Sequence, residues 1–212
     1  MAIAYDASSK AATTTTPLTF SHTCGSGSDR LLVVGVSIRG AVTVTGITYA
    51  AVALTKIRHD APGGDVRSEL WYLVAPATGA NNVVVTMSGD QSFAAIAQTY
   101  TGVHQTVPKG TDVGSTGSGT AVTVDVTSAT GELVIDVVTR QASGGTFTEG
   151  ASQTKRQTHT TQPGGSMSEE AGAATVTMSW TISSEDYAQC AVPFKPAGAL
   201  VSTYMTLTGA GV

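Results

Sequence analysis

Residues 81–100 read NNVVVTMSGDQSFAAIAQTY, and residues 173–194 read AATVTMSWTISSEDYAQCAVPF. Both hold Val-Thr-Met-Ser, and a small, apolar stretch follows each copy. Alternation sets the local structure. Val176, Met178 and Trp180 take one face of a strand, and Thr175, Thr177 and Ser179 take the other. The alanines of SFAAIAQTY (92–100) invite a helix, but the partner stretch DYAQCAVPF (186–194) alternates and carries Pro193, so both are expected to be strands.

The same period of two runs through most of the chain. Val122, Val124 and Val126 alternate with Thr123, Asp125 and Thr127. LLVVGVSI (31–38) and ELVIDVV (132–138) are nearly continuous in apolar residues, as expected of central strands covered on both faces. No segment combines helical spacing with helix caps. Roughly one residue in six is Thr, and Val is abundant, which is β-branched, sheet-forming chemistry. The 24 glycines suit a chain with many turns.

The repetition extends past Val-Thr-Met-Ser, in the same order in both halves. Leu32-Val33-Val34-Gly35-Val36 matches Leu133-Val134-Ile135-Asp136-Val137, and Thr55-Lys56 with His59 matches Thr154-Lys155 with His159. Pro62-Gly63-Gly64 matches Pro163-Gly164-Gly165, Ser68-Glu69 matches Ser168-Glu169, and Phe93-Ala94 with Tyr100 matches Tyr187-Ala188 with Phe194. Half-repeats of about 18–102 and 121–196 are therefore expected within one sandwich domain, 1–196. Each half has open edges and an uncovered face, so the halves are expected to stack as an antiparallel two-sheet β-sandwich of 10–13 strands. GSTGSGT (114–120) has the composition of a flexible linker between them. Residues 197–212 fall outside the duplication and are expected to form an arm.

Composition excludes several functions. Of 212 residues 41% are apolar and only 12% charged, and the net charge is −4 with no Lys or Arg run, so no electrostatic footprint for nucleic acid exists. No apolar run approaches a spanning helix, and MAIAYDASSK lacks the charged and apolar regions of a secretory signal. Two cysteines, Cys24 and Cys190, make no disulfide framework. Cys190 alternates with Ala188, Val192 and Phe194 and is expected in the core, where serine would leave a hydroxyl unsatisfied.

The strand cores and turns in LTFSHTCGSGSDRLLVVGVSI, VTGITYAAVALTKI, SELWYLVAPATGANNVVVTMSG, YTGVHQTVPKGT, VTSATGELVIDVV and EAGAATVTMSWTIS resemble a jelly-roll-like β-sandwich. Such domains recur in tailed-phage virion proteins and in large bacterial surface proteins, and the resemblance covers about residues 3–196. It implies a fold and a setting, and carries no catalytic motif to transfer. The surface proteins bear a signal within long chains, so the absence of one here favours the virion setting, with synthesis in the host cytoplasm.

The residues that carry chemistry have ordinary roles open to them. GSGSD (25–29) lacks the register of a nucleophile elbow and suits a turn before a strand. Glu169 and Glu170 are adjacent and so face opposite sides. Asp136, among valines, is either a catalytic acid of raised pKa or, as expected, a structural group that is hydrogen-bonded or faces outward between two apolar neighbours. His59 and His159 occupy equivalent positions without closely spaced metal ligands, and His59-Asp60 with Asp65 lacks regular calcium-loop spacing. Trp180 is expected in the core, and Trp71 and Tyr72 on opposite faces of one strand.

These readings converge on a non-enzymatic virion structural protein without catalytic, metal or cofactor residues, expected to decorate or cement a capsid. Its expected partners are the major capsid protein or another virion protein and copies of itself, as a trimer, with no nucleic acid or membrane. Leu200, Tyr204, Met205 and Leu207 of the arm are the expected contacts. The alternative is a carbohydrate- or cell-surface-binding module of a tail adhesin; an enzyme would require converging carboxylates in a cleft.

Overall fold

A computed structural model describes residues 2–198, so the arm contacts expected at Leu200, Tyr204, Met205 and Leu207 lie outside the described residues. Fifteen strands occur among the described residues, and no helix. The first half supplies β1 (Ala4–Thr13), β2 (Leu18–Cys24), β3 (Leu31–Arg39), β4 (Val44–Tyr49), β5 (Val52–Ala53), β6 (Thr55–Asp60), β7 (Val66–Val74), β8 (Gly79–Met87) and β9 (Phe93–Thr101). The second supplies β10 (Val113–Thr127), β11 (Leu133–Arg140), β12 (Thr148–Glu149), β13 (Thr154–His159), β14 (Gly164–Ala171) and β15 (Thr175–Phe194).

The expected all-β, antiparallel, sandwich-like architecture is what the chain adopts, built from three sheets instead of two. A four-stranded sheet has the order β2-β8-β4-β5, a five-stranded sheet β1-β9-β3-β7-β6, and a six-stranded sheet β10-β15-β11-β14-β13 with β12 beside β15. The five-stranded sheet lies in the middle, which is why β3 is apolar on both faces. Leu32, Val34, Val36 and Ile38 pack towards the four-stranded sheet, against Ile47, Val83 and Met87. Leu31 and Val33 pack the other way, against Ile135, Val137 and Phe194 of the six-stranded sheet. A Cβ at Gly35 would stand 2.6 Å from Met167 Sδ and 2.9 Å from Val137 Cγ2, so glycine there lets the two sheets close.

The two Val-Thr-Met-Ser copies part company after their shared residues. Strand β8 stops at Met87, and the chain crosses through Gly89-Asp90 to another sheet as β9. Asp90 Oδ1 holds that crossing by accepting from the Thr16 amide (2.8 Å). The second copy has Trp180-Thr181-Ile182 in place of the turn residues and continues as one strand of 20 residues. Its register with β10 shifts between Gly119 and Ala121, and Gly119 has φ 145°. Beyond this bulge the two long strands lie over the far side of β11, with Trp180, Ile182 and Val122 on Val138 and Phe147, and Val176 and Met178 on Val134. The second half thereby covers its own outer face.

The stretch 114–120, expected to be a flexible linker, is instead the first part of β10 and pairs with β15 from Gly114↔Cys190 to Gly119↔Glu185. Close approach explains two of its three glycines: a Cβ at Gly117 would lie 2.8 Å from Tyr187 Oη, and one at Gly114 would collide with the Asp60 carboxylate. The connection between halves is residues 102–112, which run beside 193–197 through the pairs Val103↔Pro196 and Lys109↔Phe194.

The two larger sheets have matching strand orders, with β1, β9, β3, β7 and β6 in the places of β10, β15, β11, β14 and β13. They stack in opposite senses, β1 beside β13 and β6 beside β10, with β3 over β11. That is the contact pattern of a two-fold, isologous pair. The sequence match of β3 with β11 slips by one residue, however. It sets Val34 against Ile135, which face different cores; keeping the face pairs Val33 with Ile135 and Gly35 with Val137.

Candidate functional site

Each half has a fully buried carboxylate that takes the indole N–H of a buried tryptophan. In the second half Asp136 is wholly buried and accepts from Ser168 N (3.1 Å), Ser168 Oγ (2.6 Å), Trp180 Nε1 (2.6 Å) and Gln189 Nε2 (2.8 Å). Burial pushes its pKa up, and the bonds from Ser168, Trp180 and Gln189 act against the rise. In the first half Glu69 accepts from Trp71 Nε1 (3.1 Å) and Arg67 Nε (2.6 Å) and pairs with Lys56 Nζ (2.8 Å). Both carboxylates are closed inside sheets and tie strands together. Asp136 is therefore hydrogen-bonded, one of the two arrangements expected of it, and does not face outward; Trp180 and Trp71 are core residues.

Between the halves a second polar layer crosses the middle core. Thr139 Oγ1 lies 2.6 Å from Ser68 Oγ and 2.9 Å from Ser37 Oγ, and Ser68 donates to the Ala188 carbonyl (2.8 Å). Cys190 is fully buried here, its Sγ 3.2 Å from Asp60 Oδ2 and 3.4 Å from the Ser68 carbonyl. Burial and then Asp60 push its pKa well up. The expected unsatisfied hydroxyl at position 190 is therefore corrected, because a serine would meet two acceptors. Cys24 is free as well and belongs to the other core, so the cysteines are unbridged.

The β1/β13 seam carries a third group. The Arg156 guanidinium lies over the Tyr5 ring at 4.1 Å and pairs with Glu169, while Tyr100 Oη donates to Gln98 Oε1 (2.7 Å). Glu169 and Glu170 do face opposite ways: Glu169 enters this seam, and burial and then the Asp136 charge raise the pKa of Glu170. Farther along, Lys10 Nζ donates to the Thr158 carbonyl, and Ser92 Oγ to that of Gln162. The seam ends in an open cleft of about 400 Å³ lined by Ala12, Thr13, Thr14, Ser92, Thr161 and Gln162. Its walls offer hydroxyls and one amide.

Among the described residues His22 and Ser9 form a close hydroxyl–imidazole contact, 2.8 Å from Oγ to Nδ1. Burial lowers the His22 pKa to about 4, with Asp6 acting against it. The Asp6 carboxylate is engaged by the Gly25 amide and Thr99 Oγ1, both 2.8 Å away, so it does not orient the ring. No cluster of three or more potential metal ligands occurs among the described residues, and His59 and His159 lie on separate edge strands, β6 and β13. Asp60, considered for calcium, is held by Arg58 Nε (2.5 Å) and Nη2 (2.8 Å). No helix among the described residues is long and apolar enough to cross a membrane.

Comparison of the chain with protein-family models, curated proteins and solved structures gives no match.

Proposed function

We propose that the chain is a non-enzymatic structural protein of a tailed-phage virion, a stiff brick that decorates or cements the capsid and partners the major capsid protein or another virion protein. The observation that carries this reading is the use of the polar core. The carboxylates of Asp136 and Glu69, and the hydroxyls of Ser37, Ser68 and Thr139, all join strands or sheets. A body braced at its centre this way suits repeated display better than turnover. The resemblance of its strand and turn sequences to virion β-sandwiches supplies the setting, and the matching strand orders support an internal duplication behind the two halves.

The test is mass spectrometry of density-purified particles from cells carrying the gene. The chain should be present in many copies per particle, and particles lacking it should open at lower temperature. Its absence from particles that are otherwise complete would remove the virion reading. A second reading, a glycan-binding module, has the polar cleft between Thr13 and Gln162 in its favour. Binding on a glycan array that Thr161→Trp abolishes would support it.

A further inference from the structure

We propose that the outer edge of β10 is a strand-accepting surface, and that its occupant is the segment 200–208, Leu-Val-Ser-Thr-Tyr-Met-Thr-Leu-Thr, of a second copy of this chain. Strand β10 closes one side of the six-stranded sheet and, at 15 residues, is the longest edge strand among the described residues. Among the described residues only β15 pairs with it, and no other backbone group bonds it.

Natural edge strands are guarded by charge, proline, brevity or cover. The other edges of the two larger sheets are guarded. Strand β1 reaches across the seam with Lys10, and β6 and β13 carry Lys56, Arg58, Lys155 and Arg156. Residues 113–124 contain neither a charged residue nor a proline, and the single bulge near Gly119 is their one irregularity. The side chains along them are small, so an incoming strand meets backbone donors and acceptors without obstruction.

The occupant follows from where the described chain leads. Ala197 N donates to the Gly102 carbonyl (2.7 Å), which holds the chain six residues beyond Ala191, the partner of Val113. Segment 200–208 then resumes β chemistry, with β-branched and aromatic residues and no charge. To reach β10 of its own molecule it would have to turn back parallel to β10 and cross residues 108–112, which enter that strand from the same end and are bonded to 193–195. Chain connections avoid such crossings. A second copy imposes neither condition and allows antiparallel pairing. The contact is heterologous, arm to edge, so it closes only as a ring, and a ring of three would give the trimer expected from the sequence.

The inference concerns copies of the chain alone and does not depend on a capsid. Its test is light scattering on the full chain, on a chain ending at Gly198, and on a full chain with Thr116→Lys and Ser118→Lys, both at exposed positions of the edge. The full chain should give a multiple of the single-chain mass, and both variants the single-chain mass with unchanged circular dichroism. Mixed together, the two variants should form a one-to-one pair, because one retains the edge and the other the arm. A single-chain mass for the full chain would overturn the proposal, as would association that survives either change or a mixture that does not pair. Exposed-face Thr19→Lys with Thr86→Lys should leave the full-chain mass unaltered; loss of association in that variant would place the contact elsewhere.

Discussion

At the scale of single residues, the molecule holds the Asp136 and Glu69 carboxylates where they do not meet solvent. Asp136→Ala would leave Trp180 Nε1 and the Ser168 hydroxyl without their acceptor, and Gln189 Nε2 with the Met178 carbonyl at 3.3 Å alone. Each buried donor left unsatisfied costs about 1–3 kcal/mol, so urea unfolding should show a loss of about 2–6 kcal/mol. Cys190→Ser should cost less, about 1 kcal/mol or below, because Asp60 Oδ2 and the Ser68 carbonyl can accept from the new hydroxyl. A larger fall in the same experiment would mean that packing of the sulfur outweighs those bonds. His22 sets a pH dependence. Its pKa falls from the ordinary histidine value of 6.5 to about 4 in the fold, so the unfolded chain takes up the proton first. Stability from the neutral ring is complete above about pH 6.5 and is lost as pH falls towards about 4, a dependence that His22→Gln should flatten in melting curves across that window.

At the scale of elements, alternation made most strands legible. Strands β9 and β15 follow from SFAAIAQTY and DYAQCAVPF, and the doubly apolar runs of β3 and β11 announced two covered faces. Three things were not legible. Glycines at 114, 117 and 119 look like linker residues in sequence, but two of them make room for Asp60 and Tyr187 from elsewhere in the fold. Strand β1 alternates weakly, because it forms a sheet edge and is half covered by the seam. The slip between β3 and β11 is hidden because Val, Leu and Ile suit either core, so identity cannot report which face a residue takes. Gly119 is the element-scale test. At φ 145° a side chain is strained, so Gly119→Val should cost about 1–3 kcal/mol, whereas Ser118→Val, one residue earlier, should be nearly neutral. Equal melting temperatures for the two variants would show that the bulge needs no glycine.

At the scale of the whole molecule, three sheets make two sandwich-like halves that share the central core of Leu31, Val33, Ile135, Val137 and Phe194. The two halves of the chain form larger sheets of matching strand order, but their sequences do not tell how those sheets meet. Stacking in opposite senses depends on side-chain shape at Gly35, Val137 and Met167, and on the hydroxyls of Ser37, Ser68 and Thr139, which no periodicity encodes. The buried carboxylate–indole pairs were half visible: Asp136 stood out among valines, while its partner Trp180 lies 44 residues away and is brought to it only by the fold. Amide hydrogen exchange on the intact chain tests the shared core most directly. If the halves are braced through it, the slowest amides lie in β3, β9 and β11 and share one opening free energy across both halves. If β11 exchanges through its own, much cheaper opening while β3 stays protected, the halves are separate units that merely touch.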